Sequence, residues 1–249
     1  MDGIHVLPLR GIPEVRAGDN VGTLIVAAAK VGPGVEVGDV IVVTQKIVSK
    51  AEGRVVSLET VTPSAEAERL AAETEKDPRL VELILRESVE VVRQRGPVLI
   101  TETKPGFICA NAGIDASNVG PDGTVALLPE DPDASCRRIR DAIREAAGAE
   151  VAVIMSDTFG RPWREGHTNV AIGIAGMLPF ADYVGQRDSF GYELRVSTLC
   201  VADELAAAAE LVQNKLDGVP AAIIRGYDYP KGEGSSRDLI RAREMDLFR

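Results

Sequence analysis

Three short apolar runs constrain this chain more than any other feature: Val40-Ile41-Val42-Val43, Val151-Ala152-Val153-Ile154-Met155 and Ala221-Ala222-Ile223-Ile224. Each is uncharged and bounded by turn or polar residues, and each is too short to make a helix of its own. All three predict buried strands. Amphipathic stretches lie between them, at residues 62–76, 78–94 and 133–147, and an alanine-rich one spans residues 202–215; all read as helices. Asp19 reads as the N-cap of an earlier helix running to about residue 31, although Gly22 weakens it. Pro63 would open the first amphipathic helix and Asp217-Gly218 would close the alanine-rich one. Residues 4–9, 98–101, 107–110, 125–128, 170–175 and 194–201 read as further strands, and the tail from Gly232 to Arg249 ends in a charged helix. Strands and helices mix without strict alternation and hairpin-like strands cluster mid-chain. The expected class is therefore α+β, with mixed, largely antiparallel sheets and packed helices. No linker or repeat marks a boundary, so one domain over residues 1–249 is expected, with two lobes as the alternative.

The segment after the second run carries the densest chemistry. Ser156-Asp157-Thr158-Phe159-Gly160-Arg161-Pro162-Trp163-Arg164-Glu165-Gly166 reads as one crowded turn with an acid, hydroxyls, two arginines and the only tryptophan. Carboxylate and hydroxyl oxygens suit a hard divalent cation, and guanidinium groups suit phosphate or carboxylate. The ordinary alternative is a strand-end turn whose arginines pair with surface acids, with Trp163 a packing residue.

The first run is followed by Thr44-Gln45-Lys46-Ile47-Val48-Ser49-Lys50-Ala51-Glu52-Gly53-Arg54. If helical, this segment places Lys46 and Lys50 on one face, where they could hold polyphosphate. A solvated basic turn is the other reading. Asn111-Ala112-Gly113-Ile114-Asp115-Ala116-Ser117-Asn118-Val119 surrounds one acid with small residues that let backbone approach a ligand. Asp115 could bind metal and Asn118 a base or sugar, or the segment is an Asx-rich turn. Asp115 and Asp157, from separate strand ends, could converge on one cation.

Composition narrows the alternatives. The net charge of −10 argues against nucleic acid, which needs a basic footprint, so an anion site must draw positive charge locally. No apolar run spans a bilayer, and the start lacks a basic then apolar leader. A cytoplasmic protein with no membrane association is expected. Cys109, Cys136 and Cys200 fall in no ligand spacing and read as reduced thiols, Cys109 and Cys200 as core. Phosphate-loop, dinucleotide, nucleophile-elbow and zinc signatures are all missing, and two histidines are few for a zinc site.

In this order the segments resemble the coenzyme F-420:L-glutamate ligase family (F-420-0:gamma-glutamyl ligase). The resemblance rests on Gly11-Ile12-Pro13, Gly18-Asp19, the stretch from Ile47 to Arg54, the stretch from Asn111 to Val119, and Asp157-Thr158-Phe159-Gly160-Arg161. It continues through Ala171-Ile172-Gly173-Ile174-Ala175-Gly176, Gly191-Tyr192-Glu193-Leu194, Val201-Ala202-Asp203-Glu204 and Asp217-Gly218-Val219-Pro220, nearly the whole chain. It implies an α+β fold particular to the family, a homodimer, and a GTP-dependent ligase with two magnesium or manganese sites and potassium as a further candidate ion. Its substrates would be L-glutamate and the lactyl carboxylate of a deazaflavin coenzyme precursor. The carboxylate would be activated as an acyl phosphate, and a second glutamate added through a gamma linkage.

By that resemblance Asp115, Asp157, Thr158 and Asn214 match metal positions, Asn214 standing where relatives often carry Gln or Glu. Ile12, Pro13, Glu14, Val15, Gln45, Lys46, Lys50 and Asn118 match nucleotide contacts. So do Val212, Gln213, Asn214, Lys215, Leu216, Asp217, Gly218 and Val219. Arg161 and Arg164 are inferred from their chemistry as clamps for phosphate or the acidic substrate. Some relatives carry a nitroreductase-like domain after this one; none follows in this sequence, and no reduction step is expected. The rivals are another metal-dependent phosphoryl-transfer enzyme acting on a different acid, and a nucleotide-binding module without catalysis.

Overall fold

The computed structural model describes residues 3–247. Met1 and Asp2, from the start considered above, and Phe248 and Arg249, from the expected tail helix, lie outside the described residues. The first half contains β1 (His5–Pro8), α1 (Val21–Lys30), β2 (Val40–Thr44), α2 (Gln45–Ala51), β3 (Val55–Ser57), α3 (Ala65–Thr74), α4 (Pro78–Glu87), β4 (Ser88–Arg95), β5 (Val98–Thr103) and β6 (Ile108–Ala110). It continues with β7 (Thr124–Ala126), α5 (Pro132–Ala147), β8 (Ala152–Arg161), β9 (Arg164–Ala175), β10 (Ala181–Asp182), β11 (Thr198–Leu199), α6 (Val201–Gln213) and β12 (Ala221–Arg225).

The three apolar runs lie side by side in a five-stranded sheet of order β1-β12-β2-β8-β9. They are apolar throughout because both faces are covered. Ile41, Val43, Val153, Met155 and Ile223 pack against Ile25 of α1 and Ile139 and Ile143 of α5. Val40, Val42, Ile154, Ala222 and Ile224 pack against Leu205, Ala206 and Ala209 of α6. Gly22 is part of this packing: a Cβ there would lie 2.7 Å from both the Ala142 Cβ and the Ile139 carbonyl oxygen, so its lack of a side chain lets α1 seat on α5.

Only the β2–β8 pairing in this sheet is parallel; β1–β12, β12–β2 and β8–β9 are antiparallel, as expected for the α+β class. Thr44 stands opposite Ser156 in that parallel pair, so both strands deliver their next residues, Gln45 and Asp157, to the same edge. A second body joins α3 and α4 to the antiparallel β4-β5-β6 sheet through Leu70, Val81, Ile84 and Leu99. The β3–β7 ribbon packs alongside through Leu58, Leu83, Val125 and Leu127.

Several boundaries differ from expectation. The N-cap of α1 is Asn20, which accepts from the Thr23 amide, while Asp19 accepts from the Arg16 amide in the preceding turn. Helix α3 begins at Ala65 behind the cap of Ser64, not at Pro63. The helix expected over residues 78–94 stops at Glu87, because residues 88–95 become β4 and hydrogen-bond to β5; ladder pairing overrides a helical pattern. Of the strand expected over 194–201 only Thr198–Leu199 forms. The tail carries two short 3-10 turns, Ser236–Leu239 and Arg243–Met245, in place of a charged helix.

The crowded segment after residue 155 is not a turn: residues 152–161 and 164–175 form one long hairpin. Trp163 lies at its tip with φ 62° and is 76% exposed, so it is not part of the core. All three cysteines are free; Cys109 and Cys136 are buried, but Cys200 is only half-buried. Among the described residues no helix is long and apolar enough to cross a membrane.

Candidate functional site

The edge where β2 ends and β8 runs on past Ser156 opens into a cleft of about 390 Å³, within the size range of small-molecule sites. Ligands favour this place in sheets with parallel strands, beyond the strands' carboxyl ends. Five segments line it: Ile12, Pro13, Glu14 and Val15; Gln45, Lys46 and Lys50; Asp115 and Asn118; Asp157 and Thr158; and Asn214, Lys215, Leu216, Gly218 and Val219. In a smaller cleft, Arg54 and Lys104 share the Glu87 carboxylate, at 2.5 and 3.5 Å.

Residues 45–51 are helical, so Lys46 and Lys50 do share a face. The Lys50 side chain is 10% exposed and its Nζ meets Glu14 Oε1 at 2.5 Å. Lys46 Nζ donates to Asp115 Oδ2 at 2.7 Å and to the Ser117 carbonyl at 2.5 Å. The Gln45 amide turns inward, donating to Ser49 Oγ at 2.5 Å and the Leu127 carbonyl at 3.3 Å.

Asp115 is held by an isolated antiparallel bridge to Ala126, with amide–carbonyl bonds of 3.0 and 2.8 Å. The adjoining Leu127 carbonyl accepts from Ser49 Oγ of α2 at 2.6 Å. This chain of contacts brings the Asn111–Val119 segment to the two lysines. Asn111, Ala112 and Gly113 have φ of 53°, 55° and 68°, a left-handed turn that costs energy at the two non-glycine positions. Such strain persists where surrounding structure enforces it, commonly beside functional sites.

The acids differ in their proton affinity. Burial pushes the Asp115 carboxyl up, but the Lys46 ammonium and the Ser117 amide and hydroxyl together outweigh it and hold the group below its ordinary value. Asp157 is raised to about 6, first by desolvation and then by the charge of Asp115, against a bond of 2.8 Å from the Thr158 amide. Burial, reinforced by the charge of Asp157, also pushes the Cys109 thiol up to about 12. A buried carboxylate whose ionisation is opposed by desolvation and by a second carboxylate, together with a hydroxyl, suits a hard cation. Among the described residues no group of three or more His, Cys, Asp and Glu side chains gathers for a metal. Hydroxyl, amide, water and phosphate oxygens would therefore complete any coordination, as magnesium allows.

Beside Asp157 lies a polar network. Thr158 Oγ1 donates to Asn169 Oδ1 at 2.7 Å, and Asn169 Nδ2 donates to Glu210 Oε2 at 2.8 Å. Lys215 Nζ donates to Thr158 Oγ1 at 2.5 Å. Ser156, one of the hydroxyls of the dense segment, also lines the cleft, and so do Asn169 and Glu210, which the sequence reading does not single out. Glu210 had one available signal, its position one helical turn before Asn214. Asn169 had none, since only hairpin pairing sets it against Thr158. The buried Ser156 hydroxyl has no protein partner.

Other expected residues lie elsewhere. Val212 packs beneath the sheet's α6 face, and Gln213 is buried with Nε2 donating to the Val42 carbonyl at 3.2 Å. Asp217 accepts from Asn214 Nδ2 at 3.0 Å rather than facing the cleft. Arg161 and Arg164 sit at the hairpin tip, Arg161 about 10 Å along the strand beyond Thr158, and neither lines the cleft. Arg161 Nη2 donates to the Glu165 carbonyl at 2.7 Å.

Residues 11–226 match the family model described as F420-0:Gamma-glutamyl ligase. The chain is 50% identical over 252 residues to the coenzyme F420:L-glutamate ligase of Methanothermobacter thermautotrophicus, covering 99% of each. It is 44% identical to the protein of that name from Methanopyrus kandleri, over the full length of both. It is 46% identical to that of Haloarcula marismortui, covering 99% of this chain and 96% of the relative.

Proposed function

The chain belongs to the F420-0:gamma-glutamyl ligase family, and from that membership we propose that it joins L-glutamate to the lactyl carboxylate of a deazaflavin coenzyme F420 precursor, using GTP. A gamma-linked second glutamate would follow at the same site. The observation that carries this reading is the convergence of five segments, drawn from residues 12 to 219, on one cleft holding four acids (Glu14, Asp115, Asp157 and Glu210) and three lysines.

The chemistry asks for such a cleft. A carboxylate is a poor electrophile until one of its oxygens becomes part of a leaving group. In the proposed route that oxygen attacks the γ-phosphorus of GTP, GDP departs, and the glutamate amine attacks the resulting acyl phosphate. Phosphate leaves and the amine's proton is released. Lys46 and Lys50 supply fixed positive charge for the phosphates in an otherwise acidic protein. Ile12, Pro13, Glu14, Val15, Gln45, Asn118 and the stretch from Val212 to Val219 form the nucleotide's surroundings, with Gln213 and Val212 supporting from beneath. Asp115, Asp157, Thr158 and Asn214 would hold two divalent ions, magnesium or manganese, which when bound neutralise charge on the phosphate oxygens. Potassium is included as a further ion.

Arg161 and Arg164 take no part in nucleotide binding in this proposal, and their clamp role is confined to an acidic substrate lying along the hairpin. The homodimer is also part of the proposal, supported by the exposed Phe190, Tyr192 and Val196 on the segment before β11. The deciding experiment incubates the protein with the unglutamylated precursor, GTP, magnesium and glutamate and weighs the product. A mass unchanged by glutamate addition refutes the ligase reading.

A further inference from the structure

Two of the cleft's three ammonium groups lie against residues of the expected metal set, and they mark where positive charge is favoured there. One, Lys46, rests on Asp115. The other, Lys215, lies between Thr158 Oγ1 at 2.5 Å and Glu210 Oε1 at 3.6 Å. We infer that Glu210 is a carboxylate ligand of the second cation, opposite Thr158, and that Asn169 is the positioning residue that orients both. This rests on the reading of the cleft as a nucleotide–metal site and deepens it.

The hydrogen-bond logic is restrictive. A carboxylate only accepts, so the group of Asn169 that meets Glu210 must be its NH2. The Asn169 carbonyl oxygen is thereby turned to Thr158 and takes the single hydroxyl proton. The Thr158 oxygen then has only lone pairs left, and they meet the Lys215 ammonium on the cleft side. Asn169 is 2% exposed and has both ends of its amide committed, so this orientation is held before any ligand arrives. One buried amide thus presents two acceptor oxygens, one of them charged, to a single position.

Asn214 by itself is a weak candidate for that charge. It is neutral, and its NH2 is tied to Asp217 at 3.0 Å, leaving one carbonyl oxygen. Glu210 lies in α6, four residues before the C-cap Asn214, with its side chain 27% exposed at the same cleft. It supplies the negative charge that Asn214 lacks, and a hard divalent ion favours carboxylate over amide oxygen. A divalent ion at this position displaces Lys215, which is 63% exposed and free to swing toward the phosphates.

The test uses Mn2+, alone and with a GTP analogue carrying a β,γ-imido bridge, read by calorimetry and by the electron paramagnetic resonance of free Mn2+. The wild-type protein with the analogue takes up two Mn2+. Glu210→Gln, which keeps an acceptor for Asn169, keeps the first and weakens the second tenfold or more. Asn169→Ala weakens the second selectively, whereas a merely structural role would disturb both sites and the circular dichroism. Lys215→Met, with its competing ammonium gone, binds Mn2+ alone several-fold more tightly than wild type. Two Mn2+ of unchanged affinity in Glu210→Gln overturn this assignment while leaving the nucleotide–metal reading intact. Wild-type protein that binds neither the analogue nor Mn2+ overturns both.

Discussion

Asp157→Asn sets stability against function, and the structure supplies the magnitude. The Asp157 carboxyl is raised from 3.8 to about 6, chiefly by desolvation and by Asp115 nearby. In the unfolded chain it ionises first as pH rises. The folded state therefore carries no penalty below about pH 3.8 and an increasing one through the window up to about 6. Above that window the penalty reaches at most about 3 kcal/mol, and partial solvation lowers the expected value to about 1–3 kcal/mol. Asparagine keeps the acceptor for the Thr158 amide and removes the charge. The variant should therefore be more stable than wild type in metal-free buffer with chelator at pH 7.5, by a few degrees and up to about 10 °C in Tm. The gain should fall by about half at pH 5, where wild-type Asp157 is mostly protonated. Ligation should be abolished in the same variant, because an amide cannot replace the charge of a cation's carboxylate ligand. The assay is paired thermal unfolding at the two pH values together with glutamate incorporation. A variant less stable than wild type at pH 7.5, or one whose gain does not shrink at pH 5, refutes the argument from desolvation.

Three further outcomes are expected. Gly22→Ala gains about 1 kcal/mol of helix propensity but places a Cβ 2.7 Å from Ala142 Cβ and the Ile139 carbonyl, so overpacking of about 1–3 kcal/mol should prevail and lower the urea midpoint at constant m. Glu82 is held at about 2 by Ser64, through side-chain and backbone hydrogen bonds, and by Arg86, so its ionised form stabilises the fold above about pH 4.5 and that contribution is lost as pH falls toward 2. Glu82→Gln should cost about 1–3 kcal/mol at pH 7, with a difference that narrows on acidification in denaturant melts. Arg164→Ala, at the hairpin tip outside the cleft, should raise the KM for the acidic substrate without changing the Kd for GTP; a weakened Kd would return the arginine to the nucleotide site.

Local pattern alone made much of this protein legible. The three apolar runs announced the central strands because residues buried on both faces leave no polar position in the run. Helix α5 was readable to within a residue, with Pro132 opening it and Gly148 at φ 67° closing it. The motif segments around Lys50, Asp115 and Asp157 stood out because acids, amides and small residues crowd there without a packing reason. Residues 88–95 were misread because hydrogen bonding to β5, a long-range fact, decided their state. Trp163 was misread because the bend of a hairpin tip, not hydrophobicity, set its exposure.

What the chain's own order could not decide is proximity. The parallel register of Thr44 with Ser156 joins the two lysines of α2 to Asp157, and the Asp115–Ala126 bridge brings the third segment to them. Asn169 and Glu210 gain their meaning only because β9 folds back on β8 and α6 packs across that hairpin. Hydrophobic periodicity is written in neighbouring residues and can be read from them. A site is written in distances between residues far apart in sequence, and these exist only once burial of both sheet faces has fixed the register.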